Sequence, residues 1–214
     1  SGKGRCNLTN IKDLHDFIAN YPGNGKFLFS SLMAFSNKDL IAFFESLGVK
    51  TKVERGGRVF PQSDRSIDVV NALGKGLENL GVTIMHKSRV RGLLIEENQV
   101  KGIVFGDTLQ EFHCDKVIVA TGGLSYPSTG STGDGYELAK QAGHTIVTLK
   151  PALVPLLTQE HWVKNLQGLT LKNVEATMYV KEKKIASEFG EMLFTHYGIS
   201  GPIILTLSRY AVDH

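Results

Sequence analysis

Thr121, Gly122, Gly123 and Ser125 stand together in "VIVATGGLSYPSTGSTGDGYELAKQAGH", directly after an apolar run and ahead of a helix-forming segment. Glycine accepts positive φ and adds no side-chain bulk, so a Gly-Gly pair lets main chain approach a ligand. The hydroxyls beside it add donors. A helix expected from about Gly133 to Ala142 would turn free N–H groups toward the same place, which suits a phosphate. Asp134 would repel a bare anion there and fits a hydroxyl or a helix cap better. A solvated loop of ordinary turn residues has the same composition. Both readings stand on the residues alone.

A second group lies in "GKGRCNLTN". Arg5 could clamp a phosphate with two parallel N–H bonds, and Asn7 and Thr9 supply further polar groups. A solvated arginine on a frayed terminus explains the same residues. Cys6 is either a reactive thiol or a small buried filler, and no second cysteine follows at C-x-x-C spacing. In "FTHYGISGP", His196 is the candidate catalytic acid or base, beside Tyr197 and Ser200. The glycines around it would equally serve just to turn the chain. No histidine pairs with a second ligand at metal spacing, so no metal site is expected. "STGSTGDG" lacks the G-K-[ST] ending of a phosphate-binding P-loop, which excludes that kind of ATPase.

These residues need a frame to hold them. Leu40, Ile41, Phe44 and Leu47 recur at helical spacing between an Asn37 cap and Gly48. "VKTKVE" alternates as a half-buried strand does. Ser66 is expected to cap a second helix whose Ile67, Val70, Leu73, Leu77 and Leu80 face inward, with Gly81 as its stop. Short strands follow in "VTIMH", "RVRGLLIEE", "QVKGIVF" and "LQEFHC", with turns at Asn98 and Gly106–Asp107, predicting an antiparallel meander. "KVIVA" is long and β-branched enough for a fully buried strand. Pro151 and Pro155 interrupt both helix and ladder, so residues 1–152 are expected as one domain and 153–214 as a strand-rich second one. The fold class is α/β, with α+β character from the meander.

Composition narrows the function. A 42% hydrophobic, 21% charged chain of 214 residues can bury a core. Its formal charge of +3, with scattered basic residues, gives no reason to expect a nucleic-acid or membrane partner. Two cysteines make no disulfide framework, and a reducing, cytoplasmic compartment is the simpler expectation. The opening without methionine and the apolar close at "GPIILTLSRYAVDH" read as the middle of a longer protein, whose missing parts would be partners of this one.

Taken in order, "SGKGRCNLTN", "GGRVFPQSDRSIDVVNAL", "VIVATGGLSYPSTGSTGDGYELAKQAGHTI" with "PALVPL", and "FTHYGISGP" resemble the BaiN-like NAD(P)/FAD-dependent oxidoreductases, a family that includes enzymes described as aminoacetone oxidases. The resemblance implies part of a two-dinucleotide-binding-type FAD domain with the start of an inserted, mostly β domain. It implies that Arg5, Cys6, Asn7 and Thr9 lie along the flavin and its diphosphate, and that the main chain of Val90 meets the adenine. It further implies that Ala120, Thr121, Gly122 and Gly123 pass the ADP half and that Ser125 to Asp134, including Gly133, wrap the cofactor's edge. Thr195 to Pro202 would border a substrate cavity. FAD is the implied cofactor and NAD(P)H a possible electron donor. The substrate would be a small molecule, amine-like in one reading, with oxygen or an organic compound as acceptor. The family's G-x-G-x-x-G turn does not occur in this chain. A fragment binding FAD poorly, or a non-catalytic binding module, is therefore the competing expectation.

Overall fold

The computed structural model describes residues 4–21, 23–106 and 108–212. The chain divides into two compact units, residues 1–88 and 89–214. The boundary expected at 152/153 falls inside the second of these.

The first unit is built on three antiparallel strands, β1 (Thr9–Asn10), β2 (Thr51–Glu54) and β3 (Arg58–Pro61), in the order β1-β3-β2. Val53 pairs with Val59 and Thr9 pairs with Val59 from the other side, so β3 is central and Val59 is fully buried. Helices α1 (Leu14–Ala19) and α2 (Phe29–Ala34) flank a 3-10 turn at Gly25–Leu28. Helix α3 (Asn37–Ser46) starts at the residue expected as its cap, one position earlier than predicted. Ser36 is the N-cap, its hydroxyl accepting from the Asp39 N–H while the Asp39 carboxylate accepts from the Ser36 N–H. This reciprocal box satisfies two otherwise orphaned donors, which Asn37 cannot do one position later. Instead Asn37 donates its side-chain amide to the carbonyls of Asn10 and Lys12.

Helix α4 (Ser66–Asn79) exists as expected, with Gly81 in the left-handed region just beyond it. Its cap and its inward face differ from expectation. Arg65 holds the cap position without a side-chain bond, and Ser66 is the first helical residue. Val69 is the residue buried, in a core with Phe44 and Val49 that Cys6, Leu8, Leu40 and Ala72 cover. Ile67, Val70, Leu73, Leu77 and Leu80 are exposed. The small Gly76 allows the close approach, since a Cβ there would stand 3.3 Å from Leu47. Small residues chose the docking face over the apolar stripe.

In the second unit β4 (Val90–Glu96), β5 (Gln99–Phe105) and β6 (Glu111–His113) form the expected antiparallel meander, order β4-β5-β6. Glu97 and Asn98 both take positive φ in the tight turn between the first two strands, as a two-residue hairpin that follows strand twist requires. Of the turn expected at Gly106–Asp107, Asp107 lies outside the described residues. Two expected strands are not formed. Val82–His86 is irregular, and so is Val117–Ala120, where Ile118 is 91% exposed. A buried parallel strand depends on ladder neighbours, and no described strand pairs with either segment.

Helix α5 (Asp134–Gln141) follows the glycine-rich loop, and a second antiparallel sheet, order β7-β10-β9-β8, holds β7 (Leu156–Leu157), β8 (Thr170–Val180), β9 (Lys183–Phe194) and β10 (Gly198–Ser200). Helix α6 (Pro202–Ala211) begins with proline at its first position, where the missing N–H costs nothing. It buries Ile203, Ile204 and Leu207, with Ile203 lying against Gly190 of β9. Among the described residues no single helix is long and apolar enough to cross a membrane.

Candidate functional site

The expected site residues fall into two groups, one in each unit. In the first, Arg5 lies over the Phe60 ring at 4.3 Å. Lys52 pairs with Phe60 across the ladder, and Glu54 pairs with Arg58 two residues on, so these side chains share one sheet face. Arg5 donates from Nε to Asp64 at 2.9 Å and from its terminal nitrogen to Glu54, while Lys52 reaches Asp64 at 2.5 Å. The Arg5 bond holds the Glu54 carboxyl below its ordinary range. Lys52, then Arg5, does the same for Asp64. The two carboxylates raise the Arg5 guanidinium further above its already high value.

This changes what Arg5 can do. A guanidinium already engaged by two carboxylates has little left to offer a diphosphate, so the donor set here does not fit that role. Cys6, next to it, takes φ 64 and packs half-buried against the core as a filler. Asn7 turns its amide to the carbonyls of Thr9 and Val59, at 3.0 and 3.1 Å with the nitrogen facing them. Thr9 lies in β1 beside Val59.

The second group is more open. Gly122 takes φ 73, and a Cβ there would come within 2.7 Å of the Ser131 hydroxyl. Gly135 fits directly beneath Thr121, and the Gly133 N–H donates to the Gly123 carbonyl at 3.1 Å. The loop from Thr121 to Gly123 therefore lies on the first turn of α5. Among the described residues, the main-chain N–H groups from Thr121 to Ser125 donate to no other group, and the segment is largely exposed. Such donors must be met by water or by a ligand. The cap residue of α5, Gly133, brings no side chain to cover the helix start. Open main-chain N–H groups suit the polar half of a dinucleotide, and the Asp134 carboxylate at this helix start is engaged by Arg89, so this loop fits the implied cofactor where Arg5 does not.

Asp134 stands at that helix start, its carboxylate bound bidentately by Arg89 at 2.9 and 2.7 Å. That bond, foremost, keeps its carboxyl below the ordinary range. At the other end of α5, the Gln141 side chain accepts from the Leu93 N–H at 2.9 Å and donates to the Arg91 carbonyl at 3.5 Å. A bulge between Val90 and Gly92 opens β4 for this amide, which occupies the ladder edge as a strand would. Arg89 and Gln141 thus fasten α5 to β4 at both ends. Between them is a cleft of about 380 Å³ bordered by Arg89, Val90, Arg91, Gly106, Asp134 and Glu137. Val90 and Asp134, 44 positions apart, meet there. Sequence reasoning missed Arg89 and Gln141; the alternating "RVRG" pattern identifies a strand but says nothing about which helix reaches its edge.

His196 is exposed in the β9–β10 turn, its ring edge-on to Tyr197 at 4.6 Å. The turn is closed by the Thr195 N–H donating to the Gly198 carbonyl at 2.8 Å and by the Gly198 N–H donating to the Thr195 hydroxyl at 3.1 Å. Gly198 backs directly onto Leu156.

Residues 1–202 match the family described as the HI0933-like protein Rossmann domain, and the chain belongs to that FAD-binding oxidoreductase family. It is 35% identical over 210 residues to a 3-dehydro-bile acid delta(4,6)-reductase of Clostridium scindens, covering 98% of this chain and 50% of the relative. It is also 30% identical to ribosomal RNA dihydrouridine synthases of Haemophilus influenzae, over 213 residues, and Escherichia coli, over 210. Those alignments cover 98% of this chain and 51% and 50% of the relatives. The chain spans about half the length of the curated relatives it matches.

Proposed function

We propose that the protein containing this chain is an FAD-dependent oxidoreductase that uses NAD(P)H to reduce a small organic acceptor at a carbon–carbon double bond. The observation that carries the proposal is the exposed, unsatisfied main-chain run from Thr121 to Ser125, lying on the start of α5 in a chain of an FAD-binding family. FAD, when bound, would supply the hydride transfer. The chain's own part is to bind and orient. Ala120 to Gly123 present N–H donors, Ser125 adds a hydroxyl, and the Gly133 end of α5 contributes further amides. Asp134, held ionised by Arg89, is a hydroxyl acceptor of fixed direction, and the Val90 main chain borders the same cleft. The relatives' names share one chemistry, since a delta(4,6)-reductase and a dihydrouridine synthase are both named for reaction at carbon–carbon double bonds. That favours NAD(P)H over an amine as donor and an organic compound over oxygen as acceptor. A cytoplasmic location accords with two free cysteines.

Absorbance of the purified full-length protein near the flavin bands, followed by NAD(P)H oxidation with and without an enone acceptor, tests this reading. A colourless protein that oxidises neither nucleotide would end it. An acid–base role would fall to His196. In that role His196→Ala lowers turnover by about 100-fold or more, whereas unchanged turnover removes the residue from the reaction.

A further inference from the structure

Tyr136 is in the first turn of α5, and its side chain folds back over the helix start. Helical side chains lean toward the N-terminus of their helix, so a residue here covers the chain that leads in. Its ring lies beside Gly133, where a Cβ would stand 3.6 Å from it. Its hydroxyl reaches Gly123, where a Cβ would stand 3.3 Å from the oxygen. The phenol is half-buried, yet among the described residues its hydroxyl makes no hydrogen bond, and the oxygen still meets solvent. An open O–H thus stands against the main chain whose N–H groups, from Thr121 to Ser125, donate to no other group.

The charges nearby are already engaged. Tyr136 borders a cleft of about 390 Å³ with Leu124, Gly133, Asp134, Glu137 and Lys140. Of the two carboxylates there, Asp134 is held by Arg89 and Glu137 by Lys140 at 2.8 Å. We infer that Tyr136 touches the bound cofactor, its phenol donating to the same diphosphate that the Thr121–Ser125 amides bind. A side chain at position 123 would push that hydroxyl aside. The inference rests on reading this run as a dinucleotide site, and it adds a donor from the helix that none of the loop residues supplies.

Titration of the flavin-stripped full-length protein with FAD, followed by flavin fluorescence, and with ADP, followed by calorimetry, tests it. Tyr136→Phe keeps the ring over Gly133 and removes only the hydroxyl. It should weaken both ligands by about tenfold, the scale of one hydrogen bond to a charged group, while the ligand-free protein unfolds at an unchanged temperature. Gly123 does not take positive φ, so Gly123→Ala crowds the same oxygen without backbone strain and should cost a similar factor. The double variant should then lose about tenfold and not about a hundredfold, because both changes remove one contact. Equal affinity of wild type and Tyr136→Phe, or full additivity of the two changes, overturns the contact and leaves the flavin reading standing. A lowered unfolding temperature in ligand-free Tyr136→Phe makes the residue structural and overturns it as well. A wild type that takes no FAD but binds ADP through Tyr136 would sink the flavin reading and leave this one.

Discussion

Arg5 shows how far a single residue's role depends on what surrounds it. Its fork is shared between Glu54 and Asp64, and its plane covers Phe60, so its work is to hold the loop carrying Asp64 against β2. Both carboxyls sit below their ordinary values in the folded chain. Their stabilisation is therefore complete above the usual carboxyl range, about pH 4, and is lost as pH falls through the lowered folded values. Arg5→Met keeps the apolar stem on Phe60 but removes the charge. Urea midpoints followed from pH 7 to pH 2 should fall less steeply on the acid side in this variant than in wild type. A second residue test concerns Ser208, which is 0% exposed, accepts from the Val154 N–H at 3.1 Å and donates to the Leu205 carbonyl at 2.8 Å. Ser208→Ala leaves the part-buried Val154 N–H without its acceptor and should cost about 1 kcal/mol in denaturant unfolding.

At the scale of elements, α5 is the piece that brings the candidate site together. It has only eight residues, too few to be stable alone, so its place depends on tertiary fastening. Gln141→Ala removes the bonds to Leu93 and Arg91 and should cost about 1 kcal/mol. It should also speed amide exchange along α5 and at Leu93 while β5 and β6 keep their protection. Uniform loss across the sheet would mean that Gln141 is not a local fastener. The capping box of α3 is a comparable small term. Ser36→Ala is expected to lower stability by about 1 kcal/mol, read from thermal unfolding.

For the whole molecule, the exposed stripe of α4 and the exposed Ile118 and Val119 are apolar surface of a kind soluble monomers seldom display in quantity. The 214-residue chain produced by itself should bind a hydrophobic dye, and Val70→Lys with Leu80→Lys should reduce dye binding without lowering the melting temperature. Dye binding that survives both changes would place the sticky surface elsewhere. The same chain should retain less FAD through gel filtration than the full-length protein, because it spans about half the length of the relatives it matches and offers unengaged donors in one of its two expected cofactor groups. Equal retention would contradict that account.

Much was legible in the residues. Helical spacing located α3, α4 and α5, and period-two alternation with Asn98 located the meander, because these signals are written in neighbours a few positions apart. The Gly-rich loop was legible as glycine-rich main chain ahead of a helix, whereas the packing of Gly122 on Ser131 and of Gly135 on Thr121 was not. Pairing across long separations was not. Arg5 with Glu54, Arg89 with Asp134, Gln141 with the edge of β4, and Val69 in place of Val70 as the buried contact all join residues whose meeting no local pattern encodes. The strand expected at Val117–Ala120 failed on the same ground, since a ladder needs a partner and β-branched composition cannot supply one. Local chemistry was thus determined by the sequence directly, whereas the use made of each charge and each apolar face was decided only when distant segments came into contact.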